Sequence, residues 1–251
     1  MLDYRERLQG RIALITGAAA RIGAEIARHL HEAGCDVILH YRNSAERALA
    51  LAERLNAARP DSAFTLRADL ADTTAIEPLA EAAVGIRGHL DVLINNASSY
   101  YPTPIGSATQ AQWDDLFASN ARAPFFLSQA LAPALRARRG CIVNLVDIHA
   151  DRPNAGHPIY SMAKAANAMM VKALARDLAP EVRVNGVAPG AALWPEHYFD
   201  DADRLAILER IPLGRPAGAG EIAQAVMFMV AGTDYVTGQI LAVDGGRSVQ
   251  Q

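Results

Sequence analysis

Along this chain, short runs of β-branched and large apolar residues alternate with longer stretches whose apolar positions recur every three or four residues. The runs are Ile12 to Thr16, Val37 to Tyr41, Phe64 to Arg67, Val92 to Asn95, Ile142 to Val146, Val182 to Val187 and Ile240 to Val243. Near-continuous apolar runs suit strands buried on both faces, and the helical intervals between them supply the crossovers that parallel strands need. After the first run, Ile22, Ile26, Leu30 and Ala33 fall on one stripe, as in a helix packed on a sheet. The pattern predicts an α/β fold: one doubly wound domain over residues 1–251, its seven-stranded parallel sheet covered by helices on both faces.

One stretch fits neither period. From Pro189 to about Asp203 the chain is rich in proline and acidic residues and carries Trp194. Ligands of doubly wound sheets bind beyond the carboxyl ends of the strands. This segment, near residues 189–212, is therefore either a lid over a site or a surface insertion.

Composition narrows the function classes. Apolar residues make up 51% of the chain, yet no run reaches the roughly 18 that span a bilayer. The start, Met1-Leu2-Asp3-Tyr4-Arg5-Glu6-Arg7, has no signal-peptide core, so a cytoplasmic protein without membrane association is expected. A net charge of −3 spread along the chain offers no basic patch for nucleic acid. Cys35 and Cys141 each lead into a strand-like run and are expected to be small buried hydrophobes. The seven histidines lack ligand-like spacing, so no metal site is expected.

Three local patterns carry chemistry. The first strand runs into Thr16-Gly17-Ala18-Ala19-Ala20-Arg21-Ile22-Gly23 and then a helix, so small residues let backbone amides approach a pyrophosphate at the helix N-terminus. The second strand ends His40-Tyr41-Arg42-Asn43-Ser44, with no acid to hold a ribose 2′-hydroxyl; a cation and several donors favour the 2′-phosphate of NADPH. Tyr160 and Lys164 stand four apart and share a helix face. A phenol titrates near roughly 10, and a nearby cation pulls that value toward neutrality, which makes the pair a candidate proton donor.

Together these motifs resemble the short-chain dehydrogenases/reductases, a Rossmann-type family. The loop follows the family pattern Thr-Gly-x-x-x-Gly-x-Gly with Arg21 at the middle glycine. Asp69-Leu70 resembles the family's adenine-binding turn, and Asn95-Asn96-Ala97-Ser98 its Asn-Asn-Ala-Gly segment. Pro189-Gly190 and Val243-Asp244-Gly245-Gly246 complete the pattern. The resemblance implies cofactor contacts from Gly17, Arg21, Ile22, Gly23, Tyr41, Arg42, Asn43, Ser44, Asp69, Leu70, Asn96, Ala97, Ser98, Tyr160, Lys164, Pro189 and Gly190. It also implies that Asn120 supports Lys164 through water, that Lys164 holds the nicotinamide ribose, and that the protein is a homotetramer.

Three departures point to one subfamily: Arg21, the segment Ser98-Ser99-Tyr100-Tyr101-Pro102, and Asp147 thirteen residues before Tyr160 where serine is usual. They resemble the pteridine reductases. That resemblance implies a pterin stacked between nicotinamide and Tyr100, with Arg21, Ser98, Asp147, Tyr160 and the lid residues Leu193 and Trp194 around it. Asp147 suits the substrate chemically. A carboxylate opposes the oxyanion of a ketone reduction but accepts hydrogen bonds from a pterin's amino group and ring nitrogen. Alone, without the other two departures, Asp147 reads first as a strand-end carboxylate capping the following loop. Asn43 stands where these reductases carry arginine, and Ala192 where a serine is frequent. Two other functions remain open: a carbonyl or 3-oxoacyl reductase, which the absent serine disfavours, and a silent NADPH sensor, which needs no proton donor.

Overall fold

The computed structural model describes residues 4–192 and 201–250. In chain order the elements are α1 (Tyr4–Leu8), β1 (Ile12–Ile15), α2 (Arg21–Glu32), β2 (Asp36–Tyr41), α3 (Ala45–Ala58), β3 (Ala63–Arg67), α4 (Ile76–Gly85) and β4 (Val92–Asn95). They continue with α5 (Gln110–Phe117), α6 (Ala123–Arg138), β5 (Cys141–Leu145), α7 (Pro158–Asp177), β6 (Arg183–Pro189), α8 (Asp201–Leu208), α9 (Ala219–Met227) and β7 (Ile240–Val243).

All seven strands join one parallel sheet in the order β3-β2-β1-β4-β5-β6-β7. Chain direction across the sheet reverses between β1 and β4, which opens a crevice at their carboxyl ends. Register aligns those ends: Ile15 lies beside Leu39 and Ile94, and Asn95 beside Asn144. The residues just beyond them therefore meet at one edge.

The strand interiors are apolar because both faces are covered. Ala13, Ile15, Val37, Leu39 and Ile94 point to one side and pack with Ile26, Leu30, Ile222 and Val226 of α2 and α9. Their sequence neighbours Ile12, Leu14, Ile38 and Leu93 point to the other and meet Leu79, Leu127, Leu131 and Leu174 of α4, α6 and α7. This is the two-residue alternation of a strand feeding two cores, with each fully buried Leu or Ile contributing about 1.5–3 kcal/mol. Cys35 and Cys141 are unpaired and buried.

Element ends move slightly from the sequence reading. β1 stops at Ile15 because Thr16 turns its hydroxyl to accept the amides of Asn96 and Ala97 at 2.9 and 3.0 Å. β6 runs on to Pro189, where pairing with Val243 of β7 extends it. The second half of the expected lid contains α8, whereas Leu193 and Trp194 lie outside the described residues. No helix among the described residues is long and apolar enough to cross a membrane.

Candidate active site

A cavity of about 770 Å³ opens over the carboxyl ends of β1, β4, β5 and β6. One wall is the loop into α2. Gly17 adopts φ +63°, and a Cβ on Gly23 would stand 2.3 Å from the Gly17 carbonyl and 2.6 Å from the Asn96 amide, so only glycine fits there. Asn96 clamps the turn by donating from Nδ2 to the Thr16 carbonyl at 2.8 Å and the Gly17 carbonyl at 3.1 Å. Ala20 caps α2 without a side-chain bond, which leaves the first-turn amides for an anion. Arg21 lines the cavity with φ +54°, the conformation that makes glycine usual at this point. A side chain there costs about 1–2 kcal/mol.

His40 is a further support of this loop that its sequence pattern did not reveal. Its Nδ1 accepts from the Gly17 amide at 3.2 Å, and Nε2 donates to the Ala68 carbonyl at 3.2 Å, so the bonds select one neutral tautomer. Burial pulls its pKa down to about 4, against weaker opposing effects of the Ala68 bond and Asp69.

At the far end, Arg42, Asp69 and Leu70 line the cavity. Arg42 approaches Asp69 at 3.9 Å with both side chains about half exposed, a loose pair that leaves the guanidinium free to meet an anion. Tyr41, Asn43 and Ser44 occupy the same turn but are not on the wall. The Ser44 hydroxyl makes no capping bond to α3. Arg67 donates to the Arg42 carbonyl at 3.2 Å and brings a second cation to this turn.

At the other end the wall carries Ile22, Ala97, Ser98, Tyr100, Asp147, Tyr160, Lys164, Pro189 and Gly190. The Tyr160 hydroxyl donates to Asp147 Oδ2 at 2.7 Å. Asp147 Oδ1 accepts the His149 amide at 2.8 Å, so this carboxylate both caps a short helical turn and holds the tyrosine. Burial first, and then Asp147, push the Tyr160 phenol well above its ordinary pKa. That direction is opposite to the lowering expected from Lys164. The Lys164 ammonium lies 5.7 Å from the Tyr160 ring centre and donates to the Leu145 carbonyl at 2.8 Å. Burial lowers its pKa to about 8, with Asp147 opposing. Tyr160 here keeps its proton.

Tyr100 meets Tyr160 edge-on, with ring centres 4.8 Å apart, and stacks on His157 at 4.7 Å and 7°. Its hydroxyl accepts from Asn154 at 3.0 Å. His157 and Asn154 come from the segment leading into α7 and have no motif to announce them.

Asn120 is fully buried in a π-helical turn, Ala118–Arg122, and lies behind the wall. Its Oδ1 accepts from Ser98 at 2.7 Å, and its carbonyl accepts from Asn167 at 2.7 Å. Asn167 accepts from Asn144 at 3.0 Å, and Asn144 accepts from Asn95 at 2.9 Å. A chain of buried amides thus links β4, β5, α7 and the π turn. Satisfied networks of this kind hold one geometry, because each unmet partner would cost about 1–3 kcal/mol. Asn144 and Asn167 escape sequence reading because nothing local distinguishes them from other polar residues.

A family model described as enoyl-(acyl carrier protein) reductase matches residues 17–248. This chain belongs to the short-chain dehydrogenase/reductase family. It is 36% identical to pteridine reductase 1 of Leishmania tarentolae, covering 95% of this chain and 96% of that one. It is 34% identical to a 3-oxoacyl-acyl-carrier-protein reductase of Staphylococcus aureus, covering 93% of this chain and 96% of that one. The protein is therefore an oxidoreductase of a family that uses a nicotinamide cofactor. The narrow loop at Gly23 and the uncapped start of α2 fit a dinucleotide pyrophosphate.

Proposed function

We propose that this short-chain dehydrogenase/reductase is a cytoplasmic, NADPH-dependent pteridine reductase that converts a dihydropterin to a tetrahydropterin, with oxidised pterin or dihydrofolate as further substrates. The observation that carries the reading is the 2.7 Å hydrogen bond from Tyr160 to Asp147. A carboxylate touching the proton donor disfavours an oxyanion at that spot, which is where reduction of a ketone would develop one. A pterin brings an amino group and a ring nitrogen instead, which a carboxylate accepts.

When bound, NADPH would supply a hydride to a ring carbon of the pterin. Tyr160 holds its proton until charge builds on the neighbouring ring nitrogen, then transfers it there, so hydride and proton together reduce one C=N bond. Asp147 orients the hydroxyl and the pterin edge, Tyr100 offers its ring to the flat substrate, and Lys164 holds the nicotinamide ribose. Gly17, Ile22, Gly23, Asn96, Ala97, Pro189 and Gly190 seat the cofactor, and Arg21 and Ser98 face both ligands. Arg42 favours the 2′-phosphate, aided by Tyr41, Asn43 and Ser44 in its turn, while Asp69 and Leu70 border the adenine.

Exposed Phe125, Phe126, Met162 and Met169 on α6 and α7 support assembly into a homotetramer. The test of function is NADPH oxidation against dihydrobiopterin, dihydromonapterin, dihydrofolate and a β-ketoester. Turnover of the pterins is expected. The 34% relative favours a 3-oxoacyl reductase as the second reading, and turnover of the β-ketoester alone would establish it in place of the first.

A further inference from the structure

Two cations on the cavity wall have no part in the chemistry proposed above. Arg210 follows α8, and Arg247 follows the turn after β7; both line the cavity. Their backbones are tied together. Leu213 donates to the Gly245 carbonyl at 3.1 Å, and the Arg247 amide donates to the Asp244 carbonyl at 3.2 Å. A Cβ on Gly245 would stand 2.7 Å from Ile211, so this contact is close enough to set where the two arginines start. Among the described residues neither guanidinium has an ion-pair or hydrogen-bond partner. Arg247 is partly buried, and burial and then the charge of Arg210 both oppose its protonation, with Asp147, Tyr100 and Asp244 favouring it. Arg210 and Arg247 share the cavity wall with Asp147 and Tyr100.

A pair of like charges facing one cavity with no direct ion pair or hydrogen bond among the described residues is an arrangement that an anion completes. Among the described residues Asp147 forms no ion pair with either guanidinium; its oxygens accept from His149 and Tyr160. The anion must also be carried by whatever occupies the Asp147 end of the cavity.

We propose that Arg210 and Arg247 form a subsite for an anionic substituent, a carboxylate or phosphate, on the side chain of the pterin substrate. The inference rests on the pterin reading. It goes further by naming which pterins are preferred: those whose side chain ends in negative charge. Guanidiniums recognise both groups by paired donors, so the shared chemistry is an oxyanion on a flexible tail.

The experiment compares kcat and KM for neutral dihydrobiopterin, the dicarboxylate dihydrofolate and a dihydroneopterin phosphate, using the parent, Arg247→Gln, Arg210→Gln and Arg247→Lys. Expected is a rise in KM of about tenfold or more for the anionic substrates over any change with dihydrobiopterin, one charge-assisted contact having been lost. Arg247→Lys should recover part of it, and added salt should erase the preference in the parent. Which anionic substrate is the more affected identifies carboxylate or phosphate. NADPH affinity, measured by fluorescence titration without pterin, should stay within about twofold, a readout that general misfolding would move. Equal losses on neutral and anionic pterins, or none on either, overturn the subsite and leave the pterin reading standing. A parent enzyme that reduces the β-ketoester and no pterin overturns both.

Discussion

Arg21 holds a left-handed backbone, a conformation that favours glycine, and lines the cavity. Relief of that conformation is larger than the extra chain entropy glycine brings to the unfolded state, so Arg21→Gly is expected to stabilise the fold by about 0.5–1 kcal/mol in urea titrations. The same change should weaken pterin turnover. A variant both less stable and fully active would remove Arg21 from the site. For Tyr160, replacement by Phe deletes only the proton donor. NADPH binding should persist while kcat falls roughly 100-fold to 10,000-fold, and the control is a fluorescence titration of the cofactor beside steady-state rates. Asp147→Asn separates the two duties of that carboxylate. It keeps an oxygen for the His149 amide, so stability should stay within about 1 kcal/mol, while lost charge at the pterin edge should cost about tenfold in turnover. Unchanged turnover would reduce Asp147 to its cap.

At the scale of elements, the loop between β1 and α2 is held by groups from β2 and from the end of β4. His40 is the titratable one. Its pKa is 6.5 when unfolded and about 4 in the fold, so between those values the unfolded chain binds a proton that the folded chain refuses. Stability from this group is complete above pH 6.5, is lost as pH falls, and levels off below about 4, a span on the order of 3 kcal/mol. His40→Gln should flatten the pH dependence of unfolding across that window. An identical slope in parent and variant would show that His40 does not titrate in this way. The π turn at Ala118–Arg122 is a comparable device, since it turns the Asn120 carbonyl to Asn167 and its side chain to Ser98.

At the scale of the molecule, a cofactor that binds only the folded chain raises its stability by mass action. Excess NADPH at 100 times its dissociation constant contributes about 2.7 kcal/mol, which for a domain of this size raises Tm by about 5–10 °C. NADH at the same concentration lacks the 2′-phosphate for Arg42, so its shift should be smaller by about 3–5 °C, and Arg42→Ala should close most of the gap. Equal shifts in the parent enzyme would remove the preference for NADPH.

The seven strands and their parallel sheet were legible because burial on two faces imposes a local pattern of apolar residues, and local patterns survive in sequence. The glycine-rich loop into α2 was legible for a related reason: at Gly23 no other residue fits. Asp147 could be named from its distance to Tyr160, but both its roles needed coordinates, since one partner is two residues away and the other thirteen. The direction of the Tyr160 pKa needed the tertiary structure as well, because burial and a facing carboxylate raise it, whereas helix spacing to Lys164 alone promised the reverse. His157 beside Tyr100, the amides of Asn144 and Asn167, and the pair Arg210 and Arg247 all come together from separate elements. No spacing along the chain encodes such meetings. The sequence by itself determined which backbone would form and where a glycine-rich loop would lead into a helix, because those depend on neighbours in the chain. Only the tertiary structure decided which charges and rings share the substrate end, because that depends on how β5, α7 and the turns after α8 and β7 converge across the sheet.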